Sequence, residues 1–424
     1  MPTINMLSSA DSVKGQGVGS AYIEQVNLVR EGLKGKYDVL VNSKKKCDIQ
    51  HFHTINPEFF IPVILDKKVS ANVGYVHFLP ETVEDSLDIP KAIKQLFYKY
   101  MIEFYDSMDY LVTVNPYFIE ELEKYGIPKN KVTYIPNYVS DDLFYKYDDD
   151  SKYILREKWN IPKNNFVVLG VGQVQTRKGI FDFIKCAENM PDVTFVWAGG
   201  FSFGQMTDGY KELKEIMDNP PQNVIFTGIV ERESMNDIYN IADVMFLPSY
   251  SELFPMTILE AMCVKIPILL RDIDIYKNIL FDYYLKGNSV EEFIDIINRL
   301  KNNNDFYNKW SDNSYKGHEF YSRDNVLHLW EKFYDNVYYE TKDRRNNKKF
   351  KVKVKRRKGK LYKSKVFIIN NTKKTKKFEE WNKIKEKLII ELEKQKYNID
   401  KHISNKEYQD IFYINFIQFF KKNK

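Results

Sequence analysis

Cysteine is scarce in this chain: three in 424 residues, Cys47, Cys186 and Cys263, with no C-x-x-C pair. That spacing argues against a disulfide framework and a structural zinc site, and leaves the three as small buried hydrophobes. No run of about 18 or more apolar residues occurs, so no membrane-spanning helix is expected. The N-terminus has no basic segment followed by an apolar stretch, so no signal peptide is expected and the expected compartment is the cytoplasm. Histidine is rare too, six in all, and none accompanies another at a metal-ligand spacing, so neither a structural metal nor a cofactor is expected.

The 43% apolar content is that of a globular protein, and 424 residues suffice for two domains of ordinary size plus an addition. The net charge of +6 hides an asymmetry. Residues 341–424 carry 28 Lys/Arg against 9 Asp/Glu, which leaves 36 against 49 in residues 1–340. A basic tail on an acidic body points to a polyanionic partner, an anionic membrane or a nucleic acid, or to a solvated segment; charge alone does not choose. Support for base stacking is thin, because residues 341–377 interleave only Phe350, Tyr362 and Phe367.

Over residues 1–140 short β-rich apolar runs alternate with helical patterns, as a parallel sheet flanked by helices requires. Strands are expected at Ile4–Leu7, Asp38–Val41, Asp48–His51, Ala71–Val76, Tyr110–Val114 and Val132–Ile135, with helices near Ser20–Leu33, Pro90–Tyr105 and Pro116–Tyr125. The polar stretch Ser140–Ser151 reads as a linker. Residues 151–320 repeat the alternation, with strands near Phe166–Val171, Val193–Trp197, Val224–Phe226, Val244–Leu247 and Ile266–Leu269. A closing helix over 321–340 would return across the cleft. A Lys-rich extension, 341–424, follows, with β-like pieces near Phe350–Val354 and Val366–Ile369 and a helix over Glu379–Lys396. The fold class is therefore α/β, two doubly wound units facing a cleft, with ligands beyond the carboxyl ends of the strands.

Candidate chemistry clusters just after those strands. Glu252 and Glu260 stand eight residues apart in Ser251-Glu252-Leu253-Phe254-Pro255-Met256-Thr257-Ile258-Leu259-Glu260. Pro255 suits a first helical turn, so Glu252 falls just before a helix and Glu260 about two turns in. Free N–H groups between them would attract a diphosphate, while the carboxylates meet a sugar ring and a ribose diol. The plainer alternative is an amphipathic helix with two solvated acids. Downstream of Gly170 and Gly172, a strand runs into a loop holding Arg177 and Lys178. Fixed cations there would stabilise a departing diphosphate without proton transfer; otherwise they form a solvated basic turn.

After the first strand, Lys14-Gly15-Gln16-Gly17-Val18-Gly19-Ser20 lets the backbone turn tightly and approach a ligand. It is not the dinucleotide G-x-G-x-x-G, because its third glycine comes one residue early. His51, His53 and His77 end strands of one sheet, which tilts His77 towards a cleft role against that of an ordinary structural histidine. Gly199 and Gly200 follow a strand and admit either a ligand or a plain turn.

Together, Gly15/Gly17/Gly19, His77, Arg177-Lys178-Gly179 and the Glu252/Glu260 pair, preceded by Ile241-Ala242-Asp243-Val244-Met245-Phe246-Leu247-Pro248-Ser249, resemble the family-4 retaining glycosyltransferases over about residues 1–340. The resemblance implies the GT-B architecture, two Rossmann-like domains with the sugar donor held mainly by the C-terminal one. It implies that Glu252 contacts the donor sugar, Glu260 the ribose, Arg177 and Lys178 the diphosphate, and His77 the sugar near the reaction centre. Gly15, Gly17 and Gly19 would meet the donor's reactive end, and Gly172, Gly200 and Phe254 would complete the donor site. The chain departs from the family pattern at Gln173, where an Arg often stands, at Pro255 in place of a Gly, and at Lys265, where a Gly often precedes the Pro. Asp272-Ile273-Asp274-Ile275-Tyr276 lacks the usual glycine-rich loop followed by Glu.

Within the family, the glycine run and the segments Val76-His77-Phe78-Leu79-Pro80-Glu81-Thr82 and Gly172-Gln173-Val174-Gln175 look like bacterial glycolipid synthases. Those enzymes add a second hexose, galactose or glucose from a UDP-sugar, to monoglucosyl-diacylglycerol. An independent feature agrees. In residues 89–108, Ile93, Leu96, Phe97, Tyr100, Met101, Phe104 and Met108 recur at helical spacing near Lys91, Lys94 and Lys99, which suits a helix on an anionic membrane surface; a core-facing helix is the alternative. The expected placement is peripheral, on the inner face of the cell membrane, with the basic tail adding attraction. Two rivals stand beside this reading: the same chemistry on a cell-wall polymer, exopolysaccharide or protein acceptor, and a nucleic-acid-binding scaffold with a basic arm.

Overall fold

Two parallel six-stranded sheets organise the computed structural model, which describes residues 1–9, 17–65, 70–80, 91–201 and 207–357, with positions 383 and 387. In the first sheet β1 (Thr3–Leu7), β2 (Asp38–Val41), β3 (Ile49–Phe52), β4 (Ala71–Val76), β5 (Tyr110–Thr113) and β6 (Val132–Tyr134) lie in the order β2-β1-β3-β4-β5-β6. In the second, β7 (Phe166–Val171), β8 (Val193–Ala198), β9 (Val224–Gly228), β10 (Val244–Leu247), β11 (Ile268–Arg271) and β12 (Leu285–Gly287) lie in the order β12-β11-β10-β7-β8-β9. Strands β7, β8, β10 and β11 are apolar runs buried almost throughout, as strands covered by helices on both faces must be. The expected strands thus form within a residue or two of their predicted ends. Helix Pro57–Leu65 and the three-residue β12 were not anticipated.

Winding order places the crevices. The chain runs outward from β7 to β8 and β9, then returns to lay β10 on the other side of β7, with Val244 opposite Val168 and Met245 opposite Leu169. Loops leaving the carboxyl ends of β7 and β10 therefore diverge around a switch point, where open α/β sheets bind ligands. Both expected charge motifs lie on those two loops.

Three expectations need correction. The apolar stripe of helix Lys91–Ser107 does not face outward: Phe97, Tyr100, Met101 and Phe104, with Met108 just beyond, are buried in a hydrophobic cluster with Phe52, Phe60 and Leu111. Periodicity alone cannot tell a core face from a membrane face, and here the sheet takes it. The β-like reading of Phe350–Val354 gives way to helix Arg323–Arg357. Its Lys-Val alternation has period two, but lysine and arginine are good helix formers, and extending an existing helix needs no new nucleus. The stretch Ser140–Ser151 is more than a linker, because Phe144 is buried and helix Asp149–Lys158 starts inside it, capped by Asp148 accepting from the Ser151 N–H at 2.7 Å. The expected pieces Val366–Ile369 and, apart from two helical positions, Glu379–Lys396 lie outside the described residues.

The helix that begins at Arg323 packs on the first sheet and continues past residue 340. Trp330 and Tyr334 pack on His51, and Trp330 on Tyr75. Lys36 pairs with Glu331 at 2.8 Å and Asp335 at 2.6 Å, and Tyr37 donates to Asp335 at 2.8 Å.

Candidate active site

At the second sheet's switch point the β7 loop presents Gly172, Arg177, Lys178 and Gly179, and the β10 loop presents Ser251 and Glu252. Adjacent parallel strands bring these loops side by side although 74 residues separate Lys178 from Glu252. Lys178 Nζ donates to Glu252 Oε1, both side chains being buried. Arg177 lies 3.9 Å from Glu252 Oε2 and donates to the Ser251 carbonyl at 3.0 Å. Burial works against charge on Glu252, but Lys178 and Arg177 outweigh it and hold the carboxyl below its ordinary value. The same burial lowers Lys178, opposed by Glu252.

Glycine is required around this pair for backbone conformation at Gly172 and for conformation and space at Gly199. Gly172 has φ +149° and its missing Cβ faces the Lys178 side chain; Gly199 has φ +144°, and a Cβ there would lie 1.9 Å from the Gly172 carbonyl oxygen. Gly200 accepts from the Val174 N–H at 3.0 Å, which ties its turn to the β7 loop.

The first sheet reaches across to hold the Glu252 loop. Asn115, just after β5, donates to the carbonyls of Leu253 at 2.9 Å and Ile275 at 3.1 Å, and Asn137, just after β6, donates to that of Phe254 at 3.1 Å. The Phe254 ring is buried against Tyr321, so its carbonyl, not its ring, takes part in this contact. Pro255 is the N-cap of helix Met256–Cys263 rather than a member of its first turn, and Glu260 falls in the second turn.

Glu260 is buried away from Lys178, with partners of its own. Arg232 donates to it at 2.8 Å and Tyr239 at 2.6 Å, and the other end of the Arg232 guanidinium reaches Glu24 in helix Gly17–Gly32 at 2.5 Å. Arg232 thus bridges the two sheets' domains. Burial pushes the Glu24 carboxyl up, with Arg232 opposing.

His77 follows β4 and is buried. It stacks on Tyr75 at 4.2 Å and lies 6.2 Å from His53, in a cluster sharing no hydrogen bond or ring contact with the Lys178–Glu252 group among the described residues. Burial pushes His77 and His51 down to about 3 and His53 well below its usual value, so all three are neutral imidazoles. His77 Nε2 has no hydrogen-bond partner among the described residues. A folded pKa below the unfolded one gives stability that is complete above about 6.5 and lost as pH falls towards 3, because only the unfolded chain takes up the proton. His51 and His77 should therefore each cost about 2 kcal/mol between pH 7 and pH 5. His51→Phe should shrink the acid-induced loss by that amount, read from denaturant unfolding at the two pH values.

Gly17 and Gly19 fall within the first turn of helix Gly17–Gly32, while Gly15 and Glu81 lie outside the described residues. No helix among the described residues is long and apolar enough to cross a membrane.

Two family models match this chain: glycosyltransferase family 4 over residues 35–143 and glycosyl transferases group 1 over residues 151–317. The alpha-galactosylglucosyldiacylglycerol synthase of Streptococcus pneumoniae is 46% identical, with 78% of this chain and 89% of that protein covered. The chain belongs to the family-4 glycosyltransferases. Another relative, the processive diacylglycerol alpha-glucosyltransferase of Acholeplasma laidlawii, is 32% identical over 68% of this chain and 84% of that protein. Among solved structures, that of the Anabaena protein HepE in complex with UDP-glucose matches with a TM-score of 0.64 at 14% identity, covering 79% of this chain and all of that one. This is a likeness of fold, and it agrees with the two sheets described above: the architecture is GT-B. As a retaining glycosyltransferase the chain is an enzyme, which sets aside the inactive-scaffold reading.

Residues that sequence reading missed in this glycosyltransferase are Asn115, Asn137, Glu24, Arg232 and Tyr239. The two asparagines stood within two residues of the ends of expected strands, a position where ligand-binding residues concentrate. Nothing in Val230-Glu231-Arg232-Glu233 marks Arg232, since its partners lie 28 and 208 residues away.

Proposed function

We propose that this enzyme moves a hexose, galactose or glucose, from a UDP-sugar to a glycolipid acceptor, monoglucosyl-diacylglycerol, with retention at the anomeric carbon. The observation that carries the reading is the Lys178–Glu252 pair, flanked by Arg177, at the carboxyl ends of β7 and β10. Bond breakage leaves negative charge on the diphosphate, and fixed cations held in a water-poor site stabilise that charge without reorganising. Glu252, kept ionised, orients Lys178 and accepts from donor-sugar hydroxyls. Glu260 meets the ribose in this reading by exchanging its bond to Arg232 or Tyr239. Because His77 is neutral, its role is a hydrogen bond to the sugar through Nε2, not proton donation. The acceptor hydroxyl attacks from the face the diphosphate leaves, and its proton passes to the departing phosphate oxygen. Such chemistry needs positioning more than a strong protein base.

The acceptor class is supported by the glycolipid names of the relatives, and a peripheral place on the inner face of the cell membrane by the basic excess of residues 341–424. Near an anionic surface each Lys or Arg adds about 1 kcal/mol. Helix Lys91–Ser107 contributes at most its polar face, because its apolar stripe is in the core.

The test is product formation from UDP-glucose and UDP-galactose, each supplied with diacylglycerol or monoglucosyl-diacylglycerol in anionic lipid micelles. A diglycosyl product from one donor with monoglucosyl-diacylglycerol is the expected result. Donor hydrolysis with neither lipid glycosylated would move the acceptor to a polymer or protein.

A further inference from the structure

Outside the sugar site, three elements bring ligating side chains together. Cys263 ends helix Met256–Cys263, His318 lies on helix Asn304–Phe320, and Asp141 sits in the segment crossing from the first sheet to the second. Cys263 Sγ is 3.3 Å from His318 Nδ1, and His318 Nε2 is 3.2 Å from Asp141 Oδ1. One ligating atom from each residue lies within 4.8 Å of the others.

We propose that Asp141, Cys263 and His318 form a binding site for a soft divalent cation of the zinc class. Thiolate, imidazole and carboxylate are the donors zinc accepts, and three protein ligands leave a fourth position for water. Magnesium and calcium prefer all-oxygen sets, which this is not. Negative charge stands close by, since Glu260 lies one turn before Cys263 on the same helix. Zinc takes its sulfur ligand as a thiolate, so binding would release the Cys263 proton. Coordination takes one imidazole nitrogen, so on binding either the Cys263 contact at Nδ1 or the Asp141 contact at Nε2 is exchanged for a bond to the cation. Because Cys263 follows Glu260 by one turn, an occupied site ties the interdomain crossing to the helix that carries Glu260.

The full-length enzyme, freed of metal, is titrated with zinc by calorimetry, and its cobalt form is examined for a thiolate-to-cobalt charge-transfer band. Wild type should bind one zinc, and Cys263→Ser, His318→Ala and Asp141→Asn should each weaken binding by about tenfold or more. The cobalt band should vanish in Cys263→Ser and persist in Asp141→Asn. Asp141 is largely exposed, so its variant folds even if the buried ones do not. Equal zinc affinity in wild type and Asp141→Asn, or a wild-type cobalt spectrum without the thiolate band, overturns the proposal and leaves a hydrogen-bonded cluster.

Discussion

Lys178→Met is expected to lower kcat for sugar transfer by about 10²–10³-fold, the loss typical of removing one fixed donor to a developing oxyanion. The effect should fall on kcat more than on KM, since the charge that Lys178 meets is larger in the transition state than in the bound donor. Methionine keeps the length of the stem and so most of the packing beside Gly172. It also takes the nearest cation from Glu252, buried and ionised, leaving Arg177 at 3.9 Å, which should cost about 3 kcal/mol of stability. Combining it with Glu252→Gln separates the two effects: thermal stability should recover in large part, while turnover should stay low. Wild-type single-turnover rates in both Lys178→Met and Glu252→Gln would remove this site from the chemistry.

A second large effect is expected at Arg232, which bonds Glu260 and Glu24 at once. Arg232→Met leaves two buried carboxylates facing each other without their cation, and a loss of about 3–5 kcal/mol in denaturant unfolding should follow. Adding Glu24→Gln should restore a substantial part, because only one uncompensated charge then remains. Glu24→Gln alone should cost far less. A double-mutant cycle that shows Glu24 and Arg232 to be independent would mean that the bridge contributes nothing between the domains.

Much of the fold was legible because the central strands of the second sheet, β7, β8 and β10, are mainly apolar runs bounded by turn residues, and the strand ends located the loops. Lys178 and Glu252 were named from their position after β7 and β10, and their contact follows from strand adjacency. What stayed hidden depends on neighbours far away in the chain. Arg232 looks like any surface cation until Glu24 and Glu260 close on it, and the stripe on helix Lys91–Ser107 has the same periodicity whether a lipid or a sheet covers it. Glu252 and Glu260 share a short motif yet sit in two different charge clusters, because each is held by partners drawn from other elements. Cys263 illustrates the same limit: spacing along the chain excluded a metal pattern, while folding set His318 and Asp141 beside it.

The docking of Trp330 and Tyr334 on His51, and of Trp330 on Tyr75, makes the first sheet a late-maturing unit during synthesis. Its last strand, β6, ends at Tyr134, but the helix that covers it begins only at Arg323, about 190 residues later. At a translation rate of roughly 5–20 residues per second, that apolar face waits on the order of ten to forty seconds for its cover. A nascent chain stalled before residue 323 would therefore expose a sticky aromatic and histidine surface to chaperones, and a protein cut there should not yield a well-packed N-terminal half.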